Sequence, residues 1–342
     1  MKKLNIIQIG VSHEHAPGKM ETLRKMGEVF EIVGYVDDRP FAKGAVYQPG
    51  PEYFVRPYEG LRQLSLREAL DFPGLDAVLI EVPNSDLVEV ASLCLKKGLP
   101  MHMDKPPGED AAAFRKLLEG CRAKNLPFQM GYMFRANPAM NRCRELAADG
   151  VLGNILEVEM DMSHDYGGEA YQRYISTFKG GVMFNLGCHI VDFLVSLLGA
   201  PERITPFLKT AAGSLPGVLN NTAAVLEYPG GALATIQVNA AKGWGAAQRR
   251  LRVSGSRGTF ELSPHERFDG RELTASLRLK EPVGSWRAGE NLLSFGVQSD
   301  RYADQLAEFA RIVRGEAVSA YSFEHDLLVH RVTLAAAGYF RW

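Results

Sequence analysis

Asn185, His189, Asp192 and Ser196 stand in an otherwise apolar stretch that ends at Gly199. On a helix at about 100° per residue they fall within roughly 60° of one another. Every other residue from 186 to 198 is apolar or glycine. A solvent-facing stripe is wider and carries long charged side chains. This one predicts a buried helix with one polar edge facing a cleft, with satisfied core polar groups as the competing reading. A second group with chemical reach is Lys105, at the end of an apolar run and followed by Pro106 and Pro107. The two prolines fix the turn after it and remove backbone donors. A lysine ammonium in a cleft can hold a substrate hydroxyl; the alternative is a surface lysine in a loop.

The elements that must position these groups follow from periodicity. Residues 4–9, 30–36, 76–80, 99–103 and 127–130 read as strands, and 17–26, 86–97 and 109–124 as helices. Ser65 and Glu68 fit a capping box, and residues 40–64 look irregular. Such alternation predicts an α/β domain, a doubly wound Rossmann-type parallel sheet. Ligands in such sheets sit beyond the carboxyl ends of the strands, where Lys105 falls. The pattern changes near residue 131. Beyond it come a helix at 138–148, a half-exposed strand at 154–163, and the polar-edged helix, read as continuous from 180. Strands follow at 223–228, 232–239, 249–254, 259–262 and 273–279, with a hairpin turn at 229–231, and helices at 299–314 and 323–339. The expected organisation is a dinucleotide-binding domain at 1–130. A C-terminal α+β domain at 131–342 carries an open, mostly antiparallel sheet and serves substrate binding and oligomerisation.

Gly10 follows a strand and precedes a helix, where a dinucleotide fold places the pyrophosphate. The spacing G-x-G-x-x-G falls on Gly10, Ser12 and His15, so one glycine is kept. Asp37 ends the second strand, where an acid accepts from a ribose 2′-hydroxyl. Arg39 beside it could tolerate a 2′-phosphate, so NAD and NADP both stay open. His13 and His15 form an H-x-H pair with no third ligand nearby in sequence, which argues for a loop near the cofactor and against a metal. His164, Asp165, Tyr166, Tyr171, Arg173 and Tyr174 suit stacking on and hydrogen bonding to a sugar ring, with a solvated loop as the alternative. Trp244 is a weaker candidate for the substrate or a subunit contact.

Composition narrows the partners. The chain has 342 residues, 46% hydrophobic and 23% charged, with a net charge of −1. No broad electrostatic footprint for nucleic acid or an anionic membrane follows, and a small-molecule ligand is expected. Cys94, Cys121, Cys143 and Cys188 form no C-x-x-C pair, which argues against a zinc ribbon or a disulfide scaffold. The apolar run at 4–9 is too short for a signal or membrane segment, so a cytoplasmic location is expected.

Residues 76–84, ending Glu81, Val82, Pro83, Asn84, followed by Asp104, Lys105 and Pro106, resemble the Gfo/Idh/MocA family of glucose–fructose oxidoreductase and inositol dehydrogenase relatives. That family carries Glu-Lys-Pro where this chain has Asp-Lys-Pro, and places a His where this chain has Leu87. Residues 131–138, including Arg135, resemble its first segment beyond the nucleotide domain. Gly180, Gly181, Gly187, His189 and Asp192 match its second signature, with Val182 replacing a glycine and Asn185 an aspartate.

The resemblance implies that Lys105 and His189 flank the reacting carbon over a nicotinamide, with His189 as general acid/base and Asn185 as the third member. It implies that Gly10, Ser12, His13, His15, Asp37, Pro83, Asn84 and Lys105 meet the cofactor, and that Arg135, His164, Tyr166 and Asp192 meet the substrate. Asn185 cannot act as a base and removes a negative charge beside His189. The expected activity is hydride transfer between NAD or NADP and a sugar, inositol or related polyol, in a homodimer or homotetramer. Two alternatives stay open: a redox-neutral glycosidase or lyase with tightly bound NAD, and a non-catalytic sensor.

Overall fold

The computed structural model describes residues 2–47 and 55–342. Part of the irregular segment expected at 40–64 lies outside the described residues. The chain folds as two compact units, one of residues 1–132 and 301–327, the other of 133–300 and 328–342. The sequence reading instead placed one boundary at 130 and left 131–342 continuous. The return of 301–327 has a physical reason. The helix Ala303–Val313 buries Leu306, Phe309 and Ala310 in one apolar cluster with Leu4, Ile6, Met20, Leu23, Phe30 and Leu79. Amphipathicity shows that a helix needs a partner, but not which one.

The first unit runs β1 (Leu4–Ile9), α1 (Ala16–Lys25), β2 (Phe30–Val36), β3 (Gln63–Leu64), α2 (Leu66–Leu70) and β4 (Ala77–Ile80). It continues α3 (Leu87–Lys97), β5 (Met101–Met103), α4 (Ala111–Ala123) and β6 (Phe128–Met130). Its six strands pair in the order β3-β2-β1-β4-β5-β6, all parallel. β4 is buried throughout and β1 nearly so, as parallel strands covered on both faces require. Local chemistry sets the helix ends. The Ser65–Glu68 capping box is complete, Asp110 accepts from Ala112 and Ala113, and Gly98 closes α3 at φ 71°.

The sheet order reverses between β1 and β4, so their carboxyl ends mark the switch point where doubly wound folds bind ligands. Gly10 makes the turn there at φ 106°, and a Cβ on it would lie 2.4 Å from the Glu81 carbonyl carbon and 2.5 Å from its oxygen. We expect Gly10→Ala to cost about 2–5 kcal/mol through backbone strain and overpacking. Urea unfolding measures it, and an unchanged midpoint would contradict so tight an approach.

The second unit opens with α5 (Pro138–Ala148), β7 (Ile155–Asp161), α6 (Glu169–Ile175), α7 (Gly181–Asn185) and α8 (Cys188–Leu198). Then come β8 (Arg203–Lys209), β9 (Asn221–Glu227), β10 (Leu233–Asn239), β11 (Arg250–Gly255), β12 (Gly258–Leu262), β13 (Glu272–Leu279) and β14 (Gly289–Val297). The strands pair in the order β14-β13-β12-β11-β7-β10-β9-β8, antiparallel except for β7 with β10. β9, β10 and β13 alternate between buried and more exposed positions, so one face of the sheet is covered. The sequence reading missed β8 and β14. Both are edge strands with few buried residues: β8 alternates in exposure, but Pro206 and the exposed Phe207 hide that pattern in the sequence, and β14 has no regular alternation.

The polar-edged segment is not one helix. The Val182 carbonyl accepts from both Leu186 (2.9 Å) and Gly187 (3.3 Å), and regular helix resumes at Cys188. Gly187 permits the offset, since a Cβ there would lie 2.4 Å from the Met183 oxygen. The helical-wheel argument therefore holds for His189, Asp192 and Ser196. Asn185 ends the short helix before the break.

Candidate functional site

In the first unit the carboxyl ends of β1, β4 and β5 converge on a buried polar cluster. Lys19, projecting from α1, is fully buried and donates to Glu81 Oε1 (2.7 Å), His102 Nε2 (3.0 Å) and Asp104 Oδ2 (3.1 Å). Those three bonds use all three ammonium protons. Gln129 Nε2 donates to Glu308 (3.0 Å), so its Oε1 accepts from His102 Nδ1 (2.8 Å), and His102 Nε2 is left as an acceptor for Lys19. Burial opposes the Lys19 charge, but Asp104 and Glu81 outweigh it and raise its pKa. Burial and the Asp104 carboxylate push the Glu81 carboxyl well above its usual range. Burial alone would also raise Asp104, but the surrounding histidines and Lys19 hold it well below the usual range. Burial lowers the His13 pKa well below the ordinary value, against the pull of the Asp104 carboxylate.

This cluster fixes Lys105. The Lys105 N–H donates to Asp104 Oδ1 (2.6 Å), and its carbonyl accepts from Asn84 Nδ2 (2.8 Å). The side chain is fully buried, which removes the surface-lysine alternative. Pro83 and Asn84 follow β4, and Gly10, Ser12, His13 and His15 follow β1, so these predicted residues share one edge of the sheet with Lys105. Asp37 is engaged by Arg39 Nε at 2.9 Å and Nη2 at 2.5 Å. The acid that meets the glycine turn is its neighbour. Buried Asp38 Oδ1 accepts from Val11 N–H (2.8 Å), Ser12 N–H (3.1 Å) and the Ser12 hydroxyl (2.9 Å). Sequence reasoning missed Lys19, Asp38, Glu81, His102 and Gln129. A usable signal was the placement of Asp38, Glu81 and Asp104 just past strand ends. The structure also supplies what the H-x-H pair lacked in sequence, since Asp104 lies 3.2 Å from His13 and 2.9 Å from His15.

In the second unit α7 and α8 carry Asn185, His189 and Asp192, all buried, while Ser196 is half-buried. Asp192 forms a buried bidentate pair with Arg135, at 2.7 Å to Nη2 and 3.1 Å to Nε. Phe134, beside Arg135, packs its ring 5.7 Å from that of His189. Asn185 Nδ2 donates to Tyr174 Oη (3.2 Å), and its Oδ1 lies 3.5 Å from Tyr171 Oη. An amide has both a donor and an acceptor to offer these two hydroxyls; a carboxylate has only acceptors. His164 stacks on Tyr166 at 3.5 Å and meets Tyr171 edge-on at 4.9 Å. Arg173 is tied to Glu169 at the surface, and Trp244 is 78% exposed with its N–H on Asp165 Oδ2.

Neither ring nitrogen of His164 has a hydrogen-bond partner among the described residues, and burial lowers its pKa from 6.5 to about 3. His265 is lowered by burial to about 4. The unfolded chain takes up these protons near pH 6.5 and the folded chain does not. Their contribution is therefore full above pH 6.5 and is lost progressively as pH falls toward 3. We expect His164→Gln to flatten the fall of the urea midpoint across that window. An unchanged slope would contradict a neutral buried imidazole.

Residues 140–261 match the GFO/IDH/MocA C-terminal domain. Mouse (Mus musculus) trans-1,2-dihydrobenzene-1,2-diol dehydrogenase is 27% identical over 49% of this chain and 50% of its own length. The 2,7-anhydro-N-acetylneuraminate hydratase of Escherichia coli is 25% identical over 68% of this chain and 62% of its own length. The matches thus span about half to three-fifths of these curated relatives. The fold is that of an inositol dehydrogenase homologue from Azotobacter vinelandii, solved with NADH and myo-inositol. The TM-score is 0.77 at 17% identity, over 100% of this chain and 97% of that one. Residues 140–261 thus match a GFO/IDH/MocA C-terminal domain, within a chain that shares the fold of an inositol dehydrogenase homologue.

Proposed function

We propose that this protein transfers a hydride between a nicotinamide nucleotide and a CH–OH carbon of a sugar, inositol or related polyol. The observation that carries this reading is Lys105. It is fully buried beyond β5 of a doubly wound sheet, with its backbone held by Asp104 and Asn84. Lys105 holds the reacting hydroxyl and His189 takes its proton as the carbon loses hydrogen with its electron pair. The nucleotide, when bound, supplies the hydride acceptor. Asn185, gripped by Tyr171 and Tyr174, orients substrate without adding charge. Tyr166, exposed and backed by the stacked ring of buried His164, offers an aromatic surface to a sugar ring. Arg135 and Asp192, bound to each other, hold the helix that carries His189.

The residues at the sheet edge fit a dinucleotide. Gly10 makes the close turn, and Ser12, His13, His15, Pro83 and Asn84 line the same edge. Asp38 already occupies the Val11 and Ser12 N–H groups, so what suits that corner is a donor such as a ribose hydroxyl, not a phosphate. Together with Asp37 this favours NAD over NADP. The supporting experiment is mass analysis of nucleotide copurifying with the protein, followed by fluorescence titration with NAD and NADP. No affinity for either would refute the proposal.

A second reading is favoured by the relative named a hydratase. In this reading the protein is a redox-neutral lyase, its oxidation of substrate is transient, and the bound nucleotide is restored within each turnover. Product formation without net NADH distinguishes it. We further read the open face of the second sheet as a self-association surface, giving a dimer or tetramer by light scattering, and the setting as cytoplasmic. No helix among the described residues is long and apolar enough to cross a membrane.

A further inference from the structure

His13 and His15 stand where a dinucleotide loop would carry small residues, and the proposed activity does not explain why both are histidine. Their surroundings point elsewhere. His13 Nδ1 and His15 Nδ1 converge on one oxygen, Asp104 Oδ2, at 3.2 and 2.9 Å. Ligand atoms contributed one each by His13, His15 and Asp104 lie within 4.8 Å of one another. Nitrogen and oxygen ligands about 2.1 Å from a tetrahedral ion are separated by roughly 3.4 Å, close to the two spacings seen.

A second observation points to the same place. Fully buried Glu81 directs Oε2 to within 4.0 Å of His13 Nδ1, and that oxygen has no hydrogen-bond partner among the described residues. Its other oxygen is held by Lys19 at 2.7 Å, so the carboxyl is fixed in that orientation. His15 is the group with access, its side chain 17% exposed, and its Nε2 faces Glu14 Oε1 at 3.7 Å. A carboxylate behind a ligating imidazole orients the ring and favours the tautomer that leaves Nδ1 free to bind.

We propose that His13, His15 and Asp104 bind a divalent transition-metal ion of the zinc type, with Glu81 as the fourth ligand. Two imidazoles and two carboxylates suit zinc, iron(II), cobalt(II) or manganese and not a hard ion such as calcium, which takes oxygen ligands. Lys19 remains on the outer oxygen of Glu81 and keeps both carboxylates in place. The site lies wholly within the first unit and does not depend on the oxidoreductase reading.

The test uses the whole protein stripped with a chelator and titrated with Co2+, read by visible absorption, and with Zn2+, read by calorimetry. One ion per chain is expected, with the absorption of a four-coordinate nitrogen–oxygen site. His15→Ala, at the partly exposed ligand, should weaken binding at least about 100-fold. Glu14→Gln, behind it, should weaken binding about 10- to 100-fold. Circular dichroism establishes that each variant is folded. If His15→Ala does not fold, Glu14→Gln and His13→Gln carry the comparison. No binding by the folded wild-type protein, or binding that none of these substitutions changes, would overturn the proposal and leave Lys19 as the cation of this cluster.

Discussion

His189→Gln is expected to lower the rate of polyol oxidation by about 10²- to 10⁴-fold, the usual contribution of a positioned acid/base group. Nucleotide affinity should change little. Glutamine fills a similar volume and can hydrogen-bond, but it cannot carry the proton that leaves the hydroxyl. The ring of His189 sits against Phe134 on a buried helix whose next turn is anchored by Asp192 and Arg135, so the surroundings should survive the change. Lys105→Met should give a loss of similar size, because the buried ammonium is the group assigned to the reacting oxygen. Single-turnover measurement of nicotinamide absorbance separates chemistry from binding. Wild-type rates in either variant would remove that residue from the chemistry.

Arg135→Leu should have the largest effect on stability. It leaves Asp192 as a buried carboxylate without its guanidinium, and breaking such a pair typically costs about 3–5 kcal/mol. Both side chains are almost fully enclosed, at 2% and 1% exposure, so solvent screening does little to soften the loss. Arg135→Leu with Asp192→Leu should recover much of it, since the uncompensated charge is gone. Urea unfolding of the two single variants and the double variant measures the coupling. A loss below about 1 kcal/mol in Arg135→Leu would mean that Asp192 is satisfied by other groups.

How much of this was legible in the sequence differed by element. β1 and β4 were legible because strands buried on both faces are unbroken apolar runs. Helix α3 was legible through Gly98, whose cap geometry is a local property, and α4 through its Ala- and Leu-rich run. Lys105 and His189 stood out because polar groups in apolar surroundings are conspicuous. The β8 and β14 edges left no such trace.

Nor did the cluster around Lys19. Its partners Glu81 and Asp104 lie 62 and 85 residues away in the chain, and only the parallel sheet brings them together. The same holds for the H-x-H pair, which finds its third group in Asp104 through the pairing of β1, β4 and β5. Asp37 and Asp38 illustrate the limit at single-residue scale. Two adjacent acids end one strand, and the turn at Gly10 decides which of them meets the loop.

The role assigned to Lys105 and His189 is tested most directly by following the hydrogen itself. The protein is incubated with NAD and polyols deuterated at the reacting carbons, quenched, and the nucleotide is weighed by mass spectrometry. Deuterium in the nicotinamide is expected for the wild-type protein, whether the nucleotide is released or recycled in place. Its rate of appearance should fall about 10²- to 10⁴-fold in His189→Gln and by a similar factor in Lys105→Met. No label in the wild-type nucleotide across the polyol panel, or undiminished label in both variants, would contradict hydride transfer at these two residues.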